Sequence, residues 1–180
     1  MKLELYIVEF EKFCEIANSY FTKLNSMYFD DELEKNIEVV KDAKQYSQFV
    51  VTANKRPTII ISYNWFVYMS GMMSEIAEKA KKEFSNEEFQ TKKRILEDFM
   101  KKNLAGEILH GMIHQYCYIN NISDMTRYNH HSKKYNSIAK KHNLLVIRER
   151  KKDEFMYFGN TNNFEDTAII ECADAVNIKG

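Results

Sequence analysis

Two histidines one helical turn apart are the clearest chemical feature of the chain. His110 and His114 lie in the apolar stretch L-A-G-E-I-L-H-G-M-I-H, residues 104–114. Because residues four apart in an α-helix lie on one face, both imidazoles can reach a single metal ion without distorting the backbone. The apolar neighbours indicate a helix packed against the rest of the protein. The stretch therefore predicts a metal-binding helix over about residues 104–118.

The residue after the first histidine decides what such a helix can catalyse. In a zinc peptidase a glutamate at this position takes the proton from the attacking water. Here the position is Gly111, which offers no proton acceptor. A positioned general base contributes roughly 10²–10⁴-fold to a rate, so we expect lost chemistry with retained metal, and a gain of turnover on Gly111→Glu. Glu107 is the candidate substitute as base or ligand, although a carboxylate that faces solvent or supports the site from behind is the simpler interpretation.

Composition narrows the class of protein without identifying a function. The 180 residues are 44% hydrophobic and carry no net charge, which predicts one globular domain over residues 1–180 and gives no global attraction to nucleic acid. No apolar run has the length of a membrane span, and the first residues lack a signal-peptide pattern. Cys14, Cys117 and Cys172 lie far apart, so neither a disulfide framework nor a zinc ribbon is indicated. We therefore expect a soluble, cytoplasmic protein without membrane association.

The first third of the chain predicts a helix followed by a sheet. Apolar positions recur at helical spacing over residues 3–29, with no Gly or Pro. Three β-branched or aromatic runs follow at residues 37–40, 46–51 and 58–62. Their short connections favour a three-stranded antiparallel meander.

The remaining chain is mostly helical in pattern, which makes the predicted fold class α+β. Residues 85–88 form a capping-box sequence that begins a helix reaching about residue 102, and Gly71 and residues 103–106 are expected breaks. Residues 131–142 predict another helix. Residues 144–147 and 154–158 indicate a hairpin, residues 160–163 a loop, and residues 164–176 a closing helix.

The order of these elements resembles the SprT-like family of zinc metallopeptidases, particularly the compact members carried by phages and mobile elements. The resemblance spans residues 24–144. It depends most on the segment Y-F-D-D-E-L at residues 28–33 and on the pairing of H-x-x-x-H with the later H-S-K-K-Y at residues 131–135. It implies a minimal zincin fold of the gluzincin kind, an intracellular setting, and one zinc ion held by three histidines. The C-terminal zinc ribbon of some members is absent.

Carried over residue by residue, the family pattern assigns the metal ligands. His110 and His114 match the two helix ligands, and His131 matches the third because Ser132 and Tyr135 follow at the expected places. His130 is the alternative if the register is shifted by one residue. His142 has no counterpart and is interpreted as a surface histidine near a helix end.

Three functional interpretations remain open from the sequence. The first is a SprT-like zinc metallopeptidase impaired by Gly111, acting on protein substrates that are DNA-associated in many relatives. The second is a zinc-stabilised pseudo-enzyme that serves as a protein- or DNA-binding adaptor. The third is an α+β interaction protein with incidental histidines. The local run of lysines at 133, 134, 140, 141, 151 and 152 suits a phosphate-contacting face, but a solvated helix face is the simpler interpretation.

Overall fold

The computed structural model describes residues 8–43, 45–127, 131–142, 144–145 and 160–161. Over these residues the chain is α+β, as predicted, with an N-terminal helix, a small sheet and helices after it. The elements are α1 (Phe10–Phe29), β1 (Ile37–Val40), β2 (Ser47–Thr52), β3 (Lys55–Ser62), α2 (Tyr63–Glu83), α3 (Asn86–Ile119), α4 (Lys133–Lys141), β4 (Leu144–Leu145) and β5 (Asn160–Thr161).

Helix α1 ends in a turn that its own side chains stabilise. Asp30 and Asp31 both adopt left-handed backbone angles, with φ of 51° and 61°, which aspartate tolerates better than most residues. The Asn25 side chain donates to the Leu33 carbonyl at 2.9 Å and accepts from the Leu33 amide at 3.2 Å. Phe29 and Leu33 are thereby held in the core, at 4% and 5% exposure. This local chemistry accounts for the segment at residues 28–33 that supported the family resemblance.

The sheet is mixed, so the predicted antiparallel meander is wrong. The strand order is β1-β3-β2, with β1 parallel to β3 and β2 antiparallel to it. The two-residue connection from β2 to β3 makes a hairpin, as the spacing suggested. The longer connection after β1 lets that strand lie on the other side of β3, whose Ile59 and Ile61 are fully buried. Strand β2 is left at an edge of the sheet.

Helices α2 and α3 are each continuous, so the predicted breaks at Gly71 and at residues 103–106 are wrong. The chain turns instead at residues 84–85, where Ser85 and Glu88 form the predicted capping box at the start of α3. Helix α3 then runs 34 residues without interruption. An internal glycine costs about 1 kcal/mol of helix propensity, whereas each buried large apolar side chain contributes about 1.5–3 kcal/mol. Burial of α3 on both sides of residue 106 therefore outweighs the local preference.

The core lies where α1, β3 and the second half of α3 meet. Its fully buried members include Phe13, Leu24, Ile59, Ile108 and Ile113. Among the described residues, no helix combines the length and the apolar character that a membrane span requires.

Two predictions in the C-terminal third are corrected. Strand β4 pairs with Asn160–Thr161, which the sequence predicted as loop. His142 is not a surface residue, because it is only 9% exposed and its ring packs 5.2 Å from Tyr28 and 5.0 Å from Phe29. The predicted strand at 154–158 and helix at 164–176 lie outside the described residues.

Candidate metal centre

Three histidine side chains from two parts of the chain meet at one point. His110 and His114 lie one turn apart on α3, and their Nε2 atoms are 3.1 Å apart. His131 precedes α4, and its Nε2 lies 3.1 Å from that of His110 and 3.2 Å from that of His114. These three residues are the ones the sequence selected. His130 lies outside the described residues.

His131 is held in place by the segment that follows α3. A β-bridge joins it to Met125, and the Ser132 amide donates to the Asp124 carbonyl at 2.7 Å. The Ser132 hydroxyl donates to the Ser123 carbonyl at 2.6 Å and also caps the start of α4. These contacts between residues 123–125 and residues 131–132 therefore hold His131 beside the two helix histidines.

The spacing of the three nitrogens suits a single small metal ion. A tetrahedral ion at about 2.0–2.1 Å from each nitrogen places them about 3.3–3.4 Å apart. The observed 3.1–3.2 Å is within a few tenths of that value. The three atoms can thus form the base of a tetrahedron whose fourth vertex is left for another ligand.

The outer nitrogens of the two helix histidines face carboxylates. The Nδ1 of His114 lies 2.7 Å from Asp124 Oδ2 and must donate its proton, since a carboxylate only accepts. The Nδ1 of His110 lies 3.5 Å from the Ser47 hydroxyl and 3.8 Å from Glu107 Oε2. With a proton on each Nδ1, both Nε2 atoms present lone pairs to each other at 3.1 Å. Such lone pairs repel unless a cation lies between them, which is the arrangement a metal site requires.

The electrostatics keep His114 neutral. Burial and the neighbouring His110 lower the pKa of His114 from 6.5 to about 4, against the opposing effect of Asp124. Neutral imidazole is the form that binds a metal. At neutral pH this ligand therefore has no proton to lose from Nε2.

Tyr135 supports the site from the buried side. Its ring stacks on His131 at 4.1 Å with a 12° interplanar angle, and its hydroxyl donates to the His110 carbonyl at 3.2 Å. Burial raises the pKa of Tyr135 well above its usual value, so it remains a neutral phenol. With its hydroxyl engaged by the helix backbone, Tyr135 packs and orients the imidazoles.

Gly111 of helix α3 faces Ile59 of strand β3. A Cβ atom on Gly111 would lie 2.6 Å from Ile59 Cγ2 and 3.1 Å from Ile59 Cγ1. Ile59 is fully buried on the central strand, and its β-branched side chain has few alternative rotamers. The glycine thus has a packing role that the sequence did not reveal.

Glu107 lies on the outer side of His110, away from the three converging Nε2 atoms. Its carboxylate accepts a hydrogen bond from the Ser47 hydroxyl, and its side chain is 5% exposed. The group of described residues that is spaced to hold a metal ion consists of the three histidines and does not include Glu107. This geometry favours the supporting role over the ligand role.

A cleft of about 380 Å³ opens over the three histidines. Edge strand β2 forms one wall and the loop after α3 forms the other, so an extended ligand would pass directly over the nitrogens. The cleft is lined by Gln45, Ser47, Gln48, Phe49, His110, Gly111, His114, Asp124, Met125 and His131.

Sequence reasoning missed the contribution of the sheet to this site. Phe49 of β2 lies parallel to the His114 ring, with centroids 6.1 Å apart, and Ser47 links β2 to Glu107. These residues lie about sixty positions before their partners on α3, in a run whose pattern shows only a strand. No signal in the sequence distinguishes them from ordinary strand residues.

Comparison with known proteins adds no family or relative: no family model, curated protein or solved structure matches this chain.

Proposed function

We propose that this chain is a SprT-like zinc-binding domain whose peptidase chemistry is impaired at Gly111. The observation that carries the proposal is the convergence of the three Nε2 atoms at 3.1–3.2 Å. Zinc suits a site of three neutral imidazoles with one open position, and when bound it supplies Lewis-acid polarisation of a carbonyl or water. Three features support the family assignment. They are the resemblance in sequence, the edge strand beside the cleft, and a third histidine that comes from a segment after the H-x-x-x-H helix.

Each residue around such a site has its own role. His110, His114 and His131 hold the ion, Asp124 orients His114, and Tyr135 packs against His131. Among the described residues β2 is an edge strand of its sheet, and an edge strand beside a cleft can pair with an extended protein segment. What is missing is a proton acceptor at residue 111, worth roughly 10²–10⁴-fold in rate.

The alternative is a zinc-stabilised adaptor that binds protein or DNA without hydrolysis. The packing of Gly111 on Ile59 favours the adaptor, because the Ile59 side chain fills the space that a general base at residue 111 would need. A second observation concerns α4, where Lys133, Lys134, Lys140 and Lys141 are all exposed. Four exposed cations on one short helix can contact phosphates, and such binding would weaken steeply with salt.

Metal analysis of the purified protein tests the proposal. We expect a single zinc ion per chain, retained in His130→Ala and lost in His110→Ala, His114→Ala and His131→Ala. Retention of zinc by all three of those variants would contradict the assignment. Loss in His130→Ala but not in His131→Ala would transfer the third ligand to His130.

A further inference from the structure

A buried carboxylate faces the outer nitrogen of one candidate ligand, and its role is not explained by packing. Glu107 is 4% exposed on α3, one turn before His110. Its Oε2 atom accepts a hydrogen bond from the hydroxyl of Ser47, which is itself 7% exposed on β2. Burying an ionised carboxylate costs several kcal/mol, so an apolar residue would suit a helix–sheet interface better on packing grounds alone.

The arrangement around His110 parallels the one around His114. Asp124 lies 2.7 Å from the Nδ1 of His114, and Glu107 with Ser47 lies 3.8 Å and 3.5 Å from the Nδ1 of His110. The two carboxylates come from different segments, one inside α3 and the other in the loop that follows it. Each faces the nitrogen opposite the converging Nε2 atoms.

We propose that Glu107, together with Ser47, is the positioning group of His110 and the counterpart of Asp124 at His114. This inference rests on the metal site proposed above. The Ser47 oxygen, 3.5 Å away, accepts the Nδ1 proton of His110 while the Ser47 hydroxyl donates its own proton to Glu107. This chain of contacts fixes the tautomer that presents the Nε2 lone pair to the metal. Because Ser47 belongs to β2, the same contact ties the ligand to the strand that forms one wall of the cleft.

The charges of the site are consistent with this assignment. An imidazole binds a metal in its neutral form, so the negative charges at the site would come from the acidic side chains of Glu107 and Asp124. A divalent cation on the three Nε2 atoms balances those charges at short range, where the low dielectric makes the attraction strong. Removal of either carboxylate should therefore weaken metal binding without removing a ligand.

Metal affinity across a graded series of variants tests the proposal. Zinc and cobalt(II) dissociation constants are measured by chelator competition for the wild type, Glu107→Gln, Glu107→Ala, Ser47→Ala and Asp124→Asn. We expect a loss of about 10–100-fold for Glu107→Ala, with smaller losses for Glu107→Gln and Asp124→Asn, which keep an oxygen acceptor, and for Ser47→Ala. The cobalt(II) visible spectrum should shift in the Glu107 variants, because the orientation of one imidazole changes.

A double-mutant cycle separates positioning from a general structural role. His110→Ala does not keep zinc through purification but still has two of the histidines, so its weak affinity for cobalt(II) is measured by direct titration. If Glu107 acts through His110, Glu107→Gln should cause no further loss of affinity in that background. Glu97→Gln is the matched control, because Glu97 is a carboxylate on the same helix that is 33% exposed and pairs with Lys93 at 3.6 Å. This substitution should leave metal affinity unchanged. The melting temperature of each metal-free variant shows whether it is folded. If the Glu107 variants do not fold, Ser47→Ala tests the same contact in their place.

The outcomes for this inference and for the proposed function are distinguishable. A wild type that binds no zinc or cobalt(II) overturns both. A wild type that binds metal, with Glu107→Ala and Ser47→Ala binding equally well, overturns only the positioning role. The same conclusion follows if the affinity losses of Glu107→Gln and His110→Ala are additive.

Discussion

The Cβ position of Gly111 points into the side chain of Ile59, 2.6 Å from its Cγ2 atom. Any residue larger than glycine must therefore displace a fully buried isoleucine on the central strand or move α3 away from the sheet. Two effects oppose each other at this position. Replacing glycine within a helix gains about 1 kcal/mol, whereas overpacking a core typically costs about 1–3 kcal/mol. Since Ile59 is stiff and enclosed, we expect the packing cost to prevail.

The first prediction concerns stability. Gly111→Ala should lower the free energy of unfolding by about 1–2 kcal/mol, measured by urea denaturation of metal-free protein. In an Ile59→Ala background, which removes both close atoms, the same substitution should stabilise by up to about 1 kcal/mol, because only the helix-propensity gain remains. Gly71→Ala is the control, since nothing lies within 4 Å of its Cβ position and the substitution should be stabilising. A stabilising effect of Gly111→Ala on the wild-type background would show that the sheet yields easily.

The second prediction concerns catalysis and revises the expectation from the sequence. The wild-type chain should show no zinc-dependent peptidase activity above background on unfolded or DNA-bound proteins. The sequence alone suggested that Gly111→Glu restores turnover, but the contact with Ile59 indicates that this single substitution will misplace the carboxylate. Gly111→Glu combined with Ile59→Ala should raise activity by about 10²-fold or more. The gain should disappear on adding His110→Ala.

Strong cleavage by the unmodified chain would instead show that another base serves. Glu107→Gln would then identify whether that base is the buried carboxylate. Equal background activity in every variant, with zinc bound throughout, would favour the adaptor over the impaired peptidase.

The third prediction links metal to folding. A ligand present at 100 times its dissociation constant stabilises the native state by about 2.7 kcal/mol. For a chain of this size that corresponds to a melting temperature about 5–10 °C higher with zinc than after chelation. His114→Ala should melt at the same temperature with and without chelator, whereas His130→Ala should keep the wild-type difference. An identical melting curve for wild-type protein before and after verified metal removal would favour an interaction protein with incidental histidines.

The histidine cluster was predictable because local spacing encodes it. His110 and His114 share a helix face by geometry alone, whereas His131 was selected because H-S-K-K-Y matches the third-ligand pattern that the resemblance to the SprT-like family implies. The capping box at Ser85 was predictable for the same reason, since all of its partners lie within one turn. Signals of this kind need no knowledge of the tertiary structure.

Features that depend on distant partners could not be predicted. The parallel pairing of β1 with β3 depends on which edge of β3 is left after the hairpin forms, and strand pattern does not encode that choice. Gly111 appeared to be only a lost base, because Ile59 lies more than fifty residues away in the sequence. The sequence likewise left open whether Glu107 faces solvent or supports the site, because its partner Ser47 lies sixty positions away. In each case tertiary packing outweighed a local preference.

The last prediction concerns His142, which is buried and not at the surface. His142 ends α4 and packs against Tyr28 and Phe29 at the end of α1. Burial, and to a lesser extent the charge of Lys141, lowers the pKa of His142 below its usual 6.5. The folded state therefore resists protonation there, while the unfolded state accepts a proton near pH 6.5.

The buried His142 should make the folded protein less stable at low pH. With the folded pKa depressed, stability from His142 is complete above about pH 6.5 and is lost as the pH falls toward the folded pKa. Metal-free protein should thus melt at a lower temperature at pH 5.5 than at pH 7.5, partly through His142 and partly through His114, whose pKa is also lowered. His142→Phe keeps a ring against Tyr28 but cannot be protonated, so its melting temperature should fall less between the two values. An equal fall in wild type and His142→Phe would mean that the imidazole is accessible to solvent in the folded protein.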